Sequence, residues 1–270
     1  MYVILLFISL FFQCYQSQCQ DCNSMTMEIH SFDEWFSRRS EFESITSLTL
    51  IYRGCDEYCL PSTFCSDLTS LESLTLQGFE GVTEIGDDVF LRCENLRSIC
   101  LSSLSSVESV GKNFLFSCTS LSKIEWGDKS KVKTLPHSFL AHCTKLKTID
   151  LSGFTGVETI DNQVMFGCEN LTTVVFPLLS CKKVGAFFMA SCSKLTSFDI
   201  DVFRNVESID DYFLLGTGVK TLDLRSFPNP EIVKKAVRDG FILCQTPGQS
   251  NLSFNIQRMK FIICACCGSH

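Results

Sequence analysis

The residues best suited to chemistry in this sequence are its 17 cysteines and, beside some of them, four histidines. A cysteine thiolate can act as a nucleophile when a neighbouring histidine removes its proton, and thiolates also bind zinc or close disulfides. His137 and His142 lie close to Cys143, which suggests a cysteine–histidine pair. The position of Cys143, however, is shared by four cysteines that have no histidine beside them. We therefore predict that this pair does no chemistry and that the chain is not an enzyme.

These five cysteines recur at a regular interval, which indicates their role. They are Cys93, Cys118, Cys143, Cys168 and Cys192. In a repeat protein, side chains at the same position of successive coils stack on one another. We predict a buried ladder of packed thiols, which behave as small apolar side chains, and not disulfides or metal ligands.

A second set of cysteines lies towards the two ends of the chain. Disulfides that staple terminal caps are typical of an oxidising compartment, and spacing alone leaves their connectivity open. The disulfide candidates are Cys19, Cys22, Cys55, Cys59, Cys244, Cys264, Cys266 and Cys267. A zinc site shared by the N-terminal pair (Cys19 and Cys22) and the C-terminal group (Cys264, Cys266 and Cys267) would have to join opposite ends of the repeat array. We therefore predict neither a metal site nor any other cofactor.

The elements that position these residues form a repeat with an L-x-x-L-x-L core. Its coils begin at Leu71, Leu96, Leu121, Leu146, Leu171, Leu195 and Val219, in steps of 25, 25, 25, 25, 24 and 24 residues. A period in the twenties with this core is the signature of a leucine-rich repeat. The predicted fold is an α/β solenoid of about seven to eight 24–25-residue coils. It has a parallel sheet on the concave face and short helical turns on the convex face.

The first six residues of each coil are predicted to form a short strand. Because side chains alternate along a strand, positions 4 and 6 should point inward and positions 3 and 5 outward. The inward pairs are Leu74/Leu76, Ile99/Leu101, Ile124/Trp126, Ile149/Leu151, Val174/Phe176, Phe198/Ile200 and Leu222/Leu224. In the second half of the coil, segments such as DDVFLRC (87–93) favour a capped helical turn.

Four regions follow from this pattern: a signal peptide (1–18), an N-terminal cap (19–44), the repeat domain (45–224) and a C-terminal cap (225–270). The apolar run of residues 1–12 is too short to span a membrane as a helix and has the length of the hydrophobic core of a signal peptide. Ser31 and Glu34 have capping-box spacing, so a short helix should begin there and use Phe32, Trp35, Phe36 and Phe42 to cover the first coil. In the last region, Asn229-Pro230 predicts a helix to about Asp239, followed by a strand over 252–264.

Outward strand positions are the candidate ligand-binding residues, because stacked coils build an extended surface there. They are Thr75, Lys123, Glu125, Lys147, Asp150, Thr173, Asp199, Lys220 and Asp223. The sequence leaves two interpretations open: a solvated face whose charges pair between coils, or a polar protein-binding surface. A net charge of −7 without a cluster of Lys or Arg argues against a nucleic-acid partner. Asn170 and Asn251 lie in sequons for N-glycosylation.

The motif F-x-x-C-x-x-L-x-x-I-x-L, followed by V-x-x-I, resembles the BspA-like leucine-rich repeat family. FGCENLTTVVF (166–176) and LSGFTGVETI (151–160) carry the resemblance. It implies a secreted or surface-exposed protein linked to adhesion. We thus predict a non-catalytic protein, secreted or on the extracellular face of the cell surface, that binds a protein or glycan through its concave face. The alternative is a cytosolic interaction scaffold, lipid-attached through its C-terminal cysteines.

Overall fold

The computed structural model describes residues 23–54, 58–225, 227–237 and 242–244. Its two helices are α1 (Phe32–Arg38) and α2 (Pro230–Ala236), and 3₁₀ turns span Arg39–Phe42 and Ile200–Phe203. The strands in chain order are β1 (Ser24–Ile29), β2 (Ser47–Tyr52), β3 (Cys59–Leu60), β4 (Ser73–Gln77), β5 (Glu84–Ile85), β6 (Ser98–Cys100), β7 (Ser109–Val110), β8 (Lys123–Glu125), β9 (Thr134–Leu135), β10 (Thr148–Asp150), β11 (Thr159–Ile160), β12 (Thr173–Val175), β13 (Lys183–Val184), β14 (Ser208–Ile209), β15 (Thr221–Asp223) and β16 (Ile242–Cys244).

The strands at the coil starts form what we call the main sheet. β1, β2, β4, β6 and β8 pair in parallel in that order, and β10 pairs with β12 and β15 with β16. The register repeats coil by coil, so Leu74 lies beside Ile99, and Ile99 beside Ile124. All predicted inward side chains are buried or half-buried against one continuous core. The stacked solenoid expected from the period is therefore confirmed.

A second set of parallel strands occupies the V-x-x-I step of each coil, which the sequence analysis did not assign to strands. β3, β5 and β7 form one sheet, and β9, β11, β13 and β14 form another. The second position of this step alternates in charge along the stack, through Glu108, Lys133, Glu158, Lys182 and Glu207. Lys133 Nζ lies 2.8 Å from Glu158 Oε1 and Lys182 Nζ lies 3.2 Å from Glu207 Oε1. Alternation places opposite charges on adjacent strands, where like charges would repel.

The convex segments are consecutive turns. The prediction of a short helical turn in each convex segment is therefore wrong, although the predicted solenoid is correct. Asp88, Phe90 and Arg92 have φ angles of 61°, 58° and 52°, and they alternate with residues whose φ is negative. The Asp88 amide donates to Lys112 O of the next coil at 2.8 Å, and the Phe90 amide donates to Phe64 O of the preceding coil at 3.0 Å. A single helical turn would leave most of its own amides and carbonyls unpaired. Hydrogen bonds between coils satisfy them instead.

The main sheet is interrupted in the sixth coil. Residues 195–199 form no strand, contrary to the expected pattern, and Asp199 instead caps the 3₁₀ turn that begins at Ile200. Ile200 still points into the core, while Phe198 is half-buried against it. Stacking of side chains therefore continues through this coil although the strand pairing does not.

The N-terminal cap contains the predicted helix and an unpredicted strand. α1 begins at Phe32, and Ser31 Oγ accepts a hydrogen bond from the Glu34 amide at 3.1 Å. Phe32, Trp35 and Phe42 are buried as expected, but Phe36 is 37% exposed. β1 pairs with β2 along six residues and extends the main sheet by one strand. Its alternating SMTMEI sequence lacks the leucines that marked the other coils.

At the other end, α2 begins at Pro230 as predicted, but the Asn229 side chain makes no capping hydrogen bond. β16 adds another unpredicted strand, with Leu243 beside Leu222. Segments 1–18 and 252–264 lie outside the described residues. The signal peptide and the final strand stay predictions, as do the domain boundaries.

Candidate interaction surface on the main sheet

The outward side chains of the main sheet form a surface that we call the sheet face. Thr75, Glu125, Asp150, Thr173 and Asp223 all lie on it, within β4, β8, β10, β12 and β15. Lys123 shares β8 with Glu125, whereas Lys147 and Lys220 come directly before β10 and β15. Asp199 lies in no strand, because residues 195–199 at the start of its coil form none.

Three of the predicted ligand-binding residues are aspartates that close turns, and we call Asp150, Asp199 and Asp223 the acidic row. Asp150 Oδ1 accepts the Ser152 amide at 2.8 Å, and these hydrogen bonds lower the pKa of Asp150. Asp223 Oδ1 accepts the Arg225 amide at 3.1 Å, and hydrogen bonds from the Arg225 side chain lower the pKa of Asp223 to about 2. Asp199 accepts in the same way from the amide two residues on. These are Asx turns, which gives the row a structural role that its spacing in the sequence did not reveal.

Most other charges on the sheet face are paired locally. Lys123 Nζ lies 2.6 Å from Glu125 Oε1 on the same strand, and the hydrogen bond from Lys123 lowers the pKa of Glu125. Both side chains are more than half exposed, so this pair contributes little stability. Lys147 and Lys220 are exposed and have no ion-pair partner within the described part of the chain. They are the charges on this face that a ligand would meet unpaired.

The N-terminal half of the sheet face is polar and largely uncharged. In-register pairing aligns two columns across β1, β2, β4 and β6: Ser24, Ser47, Ser73 and Ser98 in one, and Thr26, Thr49, Thr75 and Cys100 in the other. Ser73 Oγ donates to Ser47 Oγ at 2.8 Å. From these columns the sequence analysis chose only Thr75 as a candidate, and it did not recognise β1 as a strand of the sheet.

The C-terminal half carries exposed apolar side chains. Val175 on β12 is 44% exposed and Leu178, three residues later, is 60% exposed. Register places Asp150 beside Val175 and Thr148 beside Thr173. Val175, Leu178, Thr173 and the unpaired Lys147 together define what we call the β12 patch. Exposed apolar side chains grouped on a solenoid surface are typical of a protein-binding site.

The five ladder cysteines are fully buried, and each thiol donates to a main-chain carbonyl of the preceding coil. The donor–acceptor pairs are Cys93–Cys65 at 3.0 Å, Cys118–Phe90 at 3.1 Å, Cys143–Leu115 at 3.2 Å, Cys168–Leu140 at 3.1 Å and Cys192–Met165 at 3.2 Å. Every accepting residue has a left-handed backbone. The ladder therefore satisfies carbonyls that the alternating turns leave facing the core.

Burial also removes the reactivity of these thiols. It raises the pKa of Cys143 to about 12, and the pKa of Cys118 is raised for the same reason. A neutral thiol is neither a nucleophile nor a metal ligand. The His142 ring contacts the edges of Phe116 and Phe166, with centroids 5.3 Å away in each case. Within the residues described, no three His, Cys, Asp or Glu side chains gather into a metal site.

The remaining predicted modification sites fall partly outside the description. Asn170 Nδ2, the atom that a glycan would join, donates to Thr144 O at 2.6 Å, and its Oδ1 accepts from Lys194 Nζ at 2.7 Å. Cys59 is exposed and pairs with no described cysteine. Asn251 and the other disulfide candidates lie outside the described residues, as does the side chain of Cys244. These sites stay predictions.

Lys129 is the most unusual residue that the sequence analysis missed. It occupies the core position held by Phe79, Leu104 and Phe154 in neighbouring coils, and it is only 4% exposed. Its ammonium donates to the carbonyls of Trp126 and, at 3.1 Å, Asp128. Burial lowers the pKa of Lys129 to about 8. A search of the sequence for charged residues at repeat positions that are apolar in the other coils would have identified Lys129.

Stacked 24–25-residue coils with a leucine core and a parallel sheet define a solenoid of the leucine-rich repeat class. The BspA type leucine-rich repeat region matches this chain in six copies, over residues 60–195 and 154–236. The chain therefore belongs to the BspA type leucine-rich repeat family. Repeats of this class typically build protein-interaction surfaces.

Among solved structures, this chain is similar to other leucine-rich repeat proteins. A leucine-rich repeat protein from Eubacterium ventriosum is 18% identical with a TM-score of 0.46, over 67% of this chain and 48% of that one. The leucine-rich repeat protein of T. pallidum is 15% identical with a TM-score of 0.28, over 55% and 78% respectively. This chain thus spans about half the length of the Eubacterium protein. No curated protein sequence matches it. None of the helices in the described segments is long and apolar enough to cross a membrane.

Proposed function

We propose that this chain is a non-catalytic binding protein that holds a protein partner on its sheet face, with the β12 patch at the centre of the contact. One observation carries the proposal: Val175 and Leu178, three residues apart at the end of β12, are 44% and 60% exposed, and the unpaired Lys147 directly precedes the neighbouring strand β10. An apolar centre with a charge at its margin is the usual composition of a protein interface. The acidic row is better suited to shaping the surface than to binding, because its aspartates are engaged in turns.

A glycan is the second candidate ligand, and the hydroxyl columns of β1, β2, β4 and β6 favour it. Serine and threonine hydroxyls both donate and accept hydrogen bonds, as sugar hydroxyls require. The two candidates use different halves of the sheet face, so substitutions in one half distinguish them.

We further propose that the protein is secreted or held at the cell surface and acts in adhesion. The family and the apolar first twelve residues support this location. The cytosolic, lipid-attached scaffold is the alternative. Intact mass measured on protein from its own cells, after thiol alkylation without reductant, separates the two. Loss of the first residues and protected end cysteines are expected; a full-length chain with every exposed cysteine alkylated would exclude secretion.

The test of the β12 patch is binding of the purified protein to intact host or matrix surfaces. Val175→Ser with Leu178→Ser should weaken this binding about tenfold or more, because both side chains would be buried at the interface centre. Tyr58→Ser is the matched control, since Tyr58 is 63% exposed and lies outside the patch. Equal loss in the control, or no loss in the double variant, would contradict the assignment. Loss on Thr75→Val instead would favour the glycan candidate.

A further inference from the structure

The outer edge of β1 is an open strand edge in the described structure. Asn23 O accepts hydrogen bonds from the Thr46 and Ser47 amides at the start of β2, and Ile29 O accepts one from the Arg53 amide just after β2. The odd-numbered residues of β1 therefore turn their main-chain groups towards β2. Alternate residues of a strand bond to opposite sides. Ser24, Thr26 and Glu28 therefore turn their amides and carbonyls away from the sheet, where no described residue pairs with them.

β1 also lacks the features that usually protect an edge. It is six residues long and contains no proline, and its single charge, Glu28, is paired with Arg53 at 3.0 Å. Edges of this kind pair readily with another strand. Apolar surface lies at the edge as well, because Met25 on β1 itself is only half-buried.

We propose that this edge joins two copies of the chain through an antiparallel β1–β1 pairing with a two-fold axis at Thr26. In this register Thr26 faces Thr26 of the second copy, and Ser24 faces Glu28 of the second copy. Each of these pairs exchanges two hydrogen bonds, so every open main-chain group of the edge is satisfied. No other antiparallel register aligns all three outward residues of both strands.

The side chains agree with this register. On the sheet face, a threonine pair lies at the axis and each Glu28 lies across from a serine, so no like charges are opposed. On the core side, the half-buried Met25 lies opposite Met27 of the second copy and extends the apolar core across the junction. The two main sheets become one sheet, and the edge that each monomer exposes is removed.

The experiment is sedimentation velocity of the full chain over a concentration series. A reversible dimer is expected. Ser24→Glu places two carboxylates opposite one another at both symmetric positions and should raise the dimer dissociation constant about tenfold, whereas Ser24→Lys should lower it by pairing with Glu28. Thr26→Pro should abolish the dimer without breaking the β1–β2 ladder, because the Thr26 amide points outward. Thr26→Val retains that amide and is the matched control.

Hydrogen exchange at the Thr26 and Glu28 amides gives the second measurement. Protection that rises with protein concentration supports the dimer. A chain that stays monomeric throughout the series overturns the proposal, and so does concentration-independent protection of these amides, which would mean that another part of the chain covers the edge. A dimer that responds equally to Ser24→Glu and Ser24→Lys overturns the register. Circular dichroism of each variant verifies that the solenoid is folded.

Discussion

Replacing the buried Lys129 should make the protein more stable near neutral pH. The side chain is 4% exposed at a core position that is apolar in the neighbouring coils, and it has hydrogen bonds to carbonyls but no ion pair with a carboxylate among the described residues. Burial lowers its pKa from 10.5 to about 8. The folded state therefore binds fewer protons than the unfolded state between these values, and stability should rise with pH across this window.

The size of the effect follows from the shift. A difference of about 2.5 pKa units corresponds to roughly 3 kcal/mol, present in full below pH 8 and relieved progressively up to pH 10.5. Lys129→Met keeps a similar length and removes the charge, and its flexible thioether would pack among apolar neighbours such as Leu104 and Phe154. Since the two carbonyl hydrogen bonds are lost as well, we expect a net gain of about 1–3 kcal/mol at pH 7.

The assay is equilibrium urea unfolding, followed by tryptophan fluorescence at intervals from pH 7 to 10.5. The difference between Lys129→Met and wild type should shrink as pH rises. Lys131→Met is the matched control, because Lys131 is 57% exposed and should change stability by less than about 0.5 kcal/mol. If the wild-type and Lys129→Met profiles stay parallel over this range, Lys129 does not carry a depressed pKa and the reasoning is refuted.

Three further predictions concern the ladder, the sheet face and the second set of strands. Cys143→Ala should destabilise the protein by about 1–3 kcal/mol in thermal melts, because it leaves a buried carbonyl unpaired, while the exposed Cys59→Ala should be neutral. Arg225→Gln should raise the pKa of Asp223 from about 2 towards 3.8, as read by carbon NMR; that carboxylate stabilises the fold above pH 3.8, and its contribution is lost as pH falls towards 2. Lys133→Glu places carboxylates at the same position of three successive coils, together with Glu108 and Glu158, and should lower stability at low salt, with recovery in 1 M salt; equal loss at both salt concentrations would exclude repulsion as the cause.

The repeat could be predicted from the sequence because stacking imposes it on every coil. Leu74, Ile99 and Ile149 recur at one spacing, and a strand is the only element that buries both them and the residue two positions later. β1 was missed for the opposite reason: its core side chains are methionine and isoleucine in a single coil that has no leucine start. Periodicity identifies residues that recur and passes over the coil that differs.

The convex turns could not be read from one coil at all. Segments such as DDVFLRC satisfy the local rules for a capped helical turn, but the hydrogen bonds that decide their conformation come from the neighbouring coils. Left-handed backbone at Phe90 and Leu115 is costly for residues with a Cβ atom. It persists because each of these residues bonds to the coil before it through its amide and to the next ladder cysteine through its carbonyl. The cysteines and the left-handed turns thus form one repeating device, and the sequence showed only half of it.

The distinction between residues that recur and residues that differ also bears on the proposed function. A residue that recurs from coil to coil, such as a ladder cysteine, is accounted for by stacking and cannot distinguish this chain from other solenoids. Val175 stands where Asp150 and Asp223 close turns in other coils, and it is followed by the exposed Leu178, one coil before the break in the main sheet at residues 195–199. Stacking does not require an apolar side chain at this position, and in the free protein the side chain is exposed, so it gains no stability from burial. A partner that covers Val175 and Leu178 would bury their apolar surface and so stabilise the complex. For this reason, binding at the β12 patch is the test on which the proposed function depends.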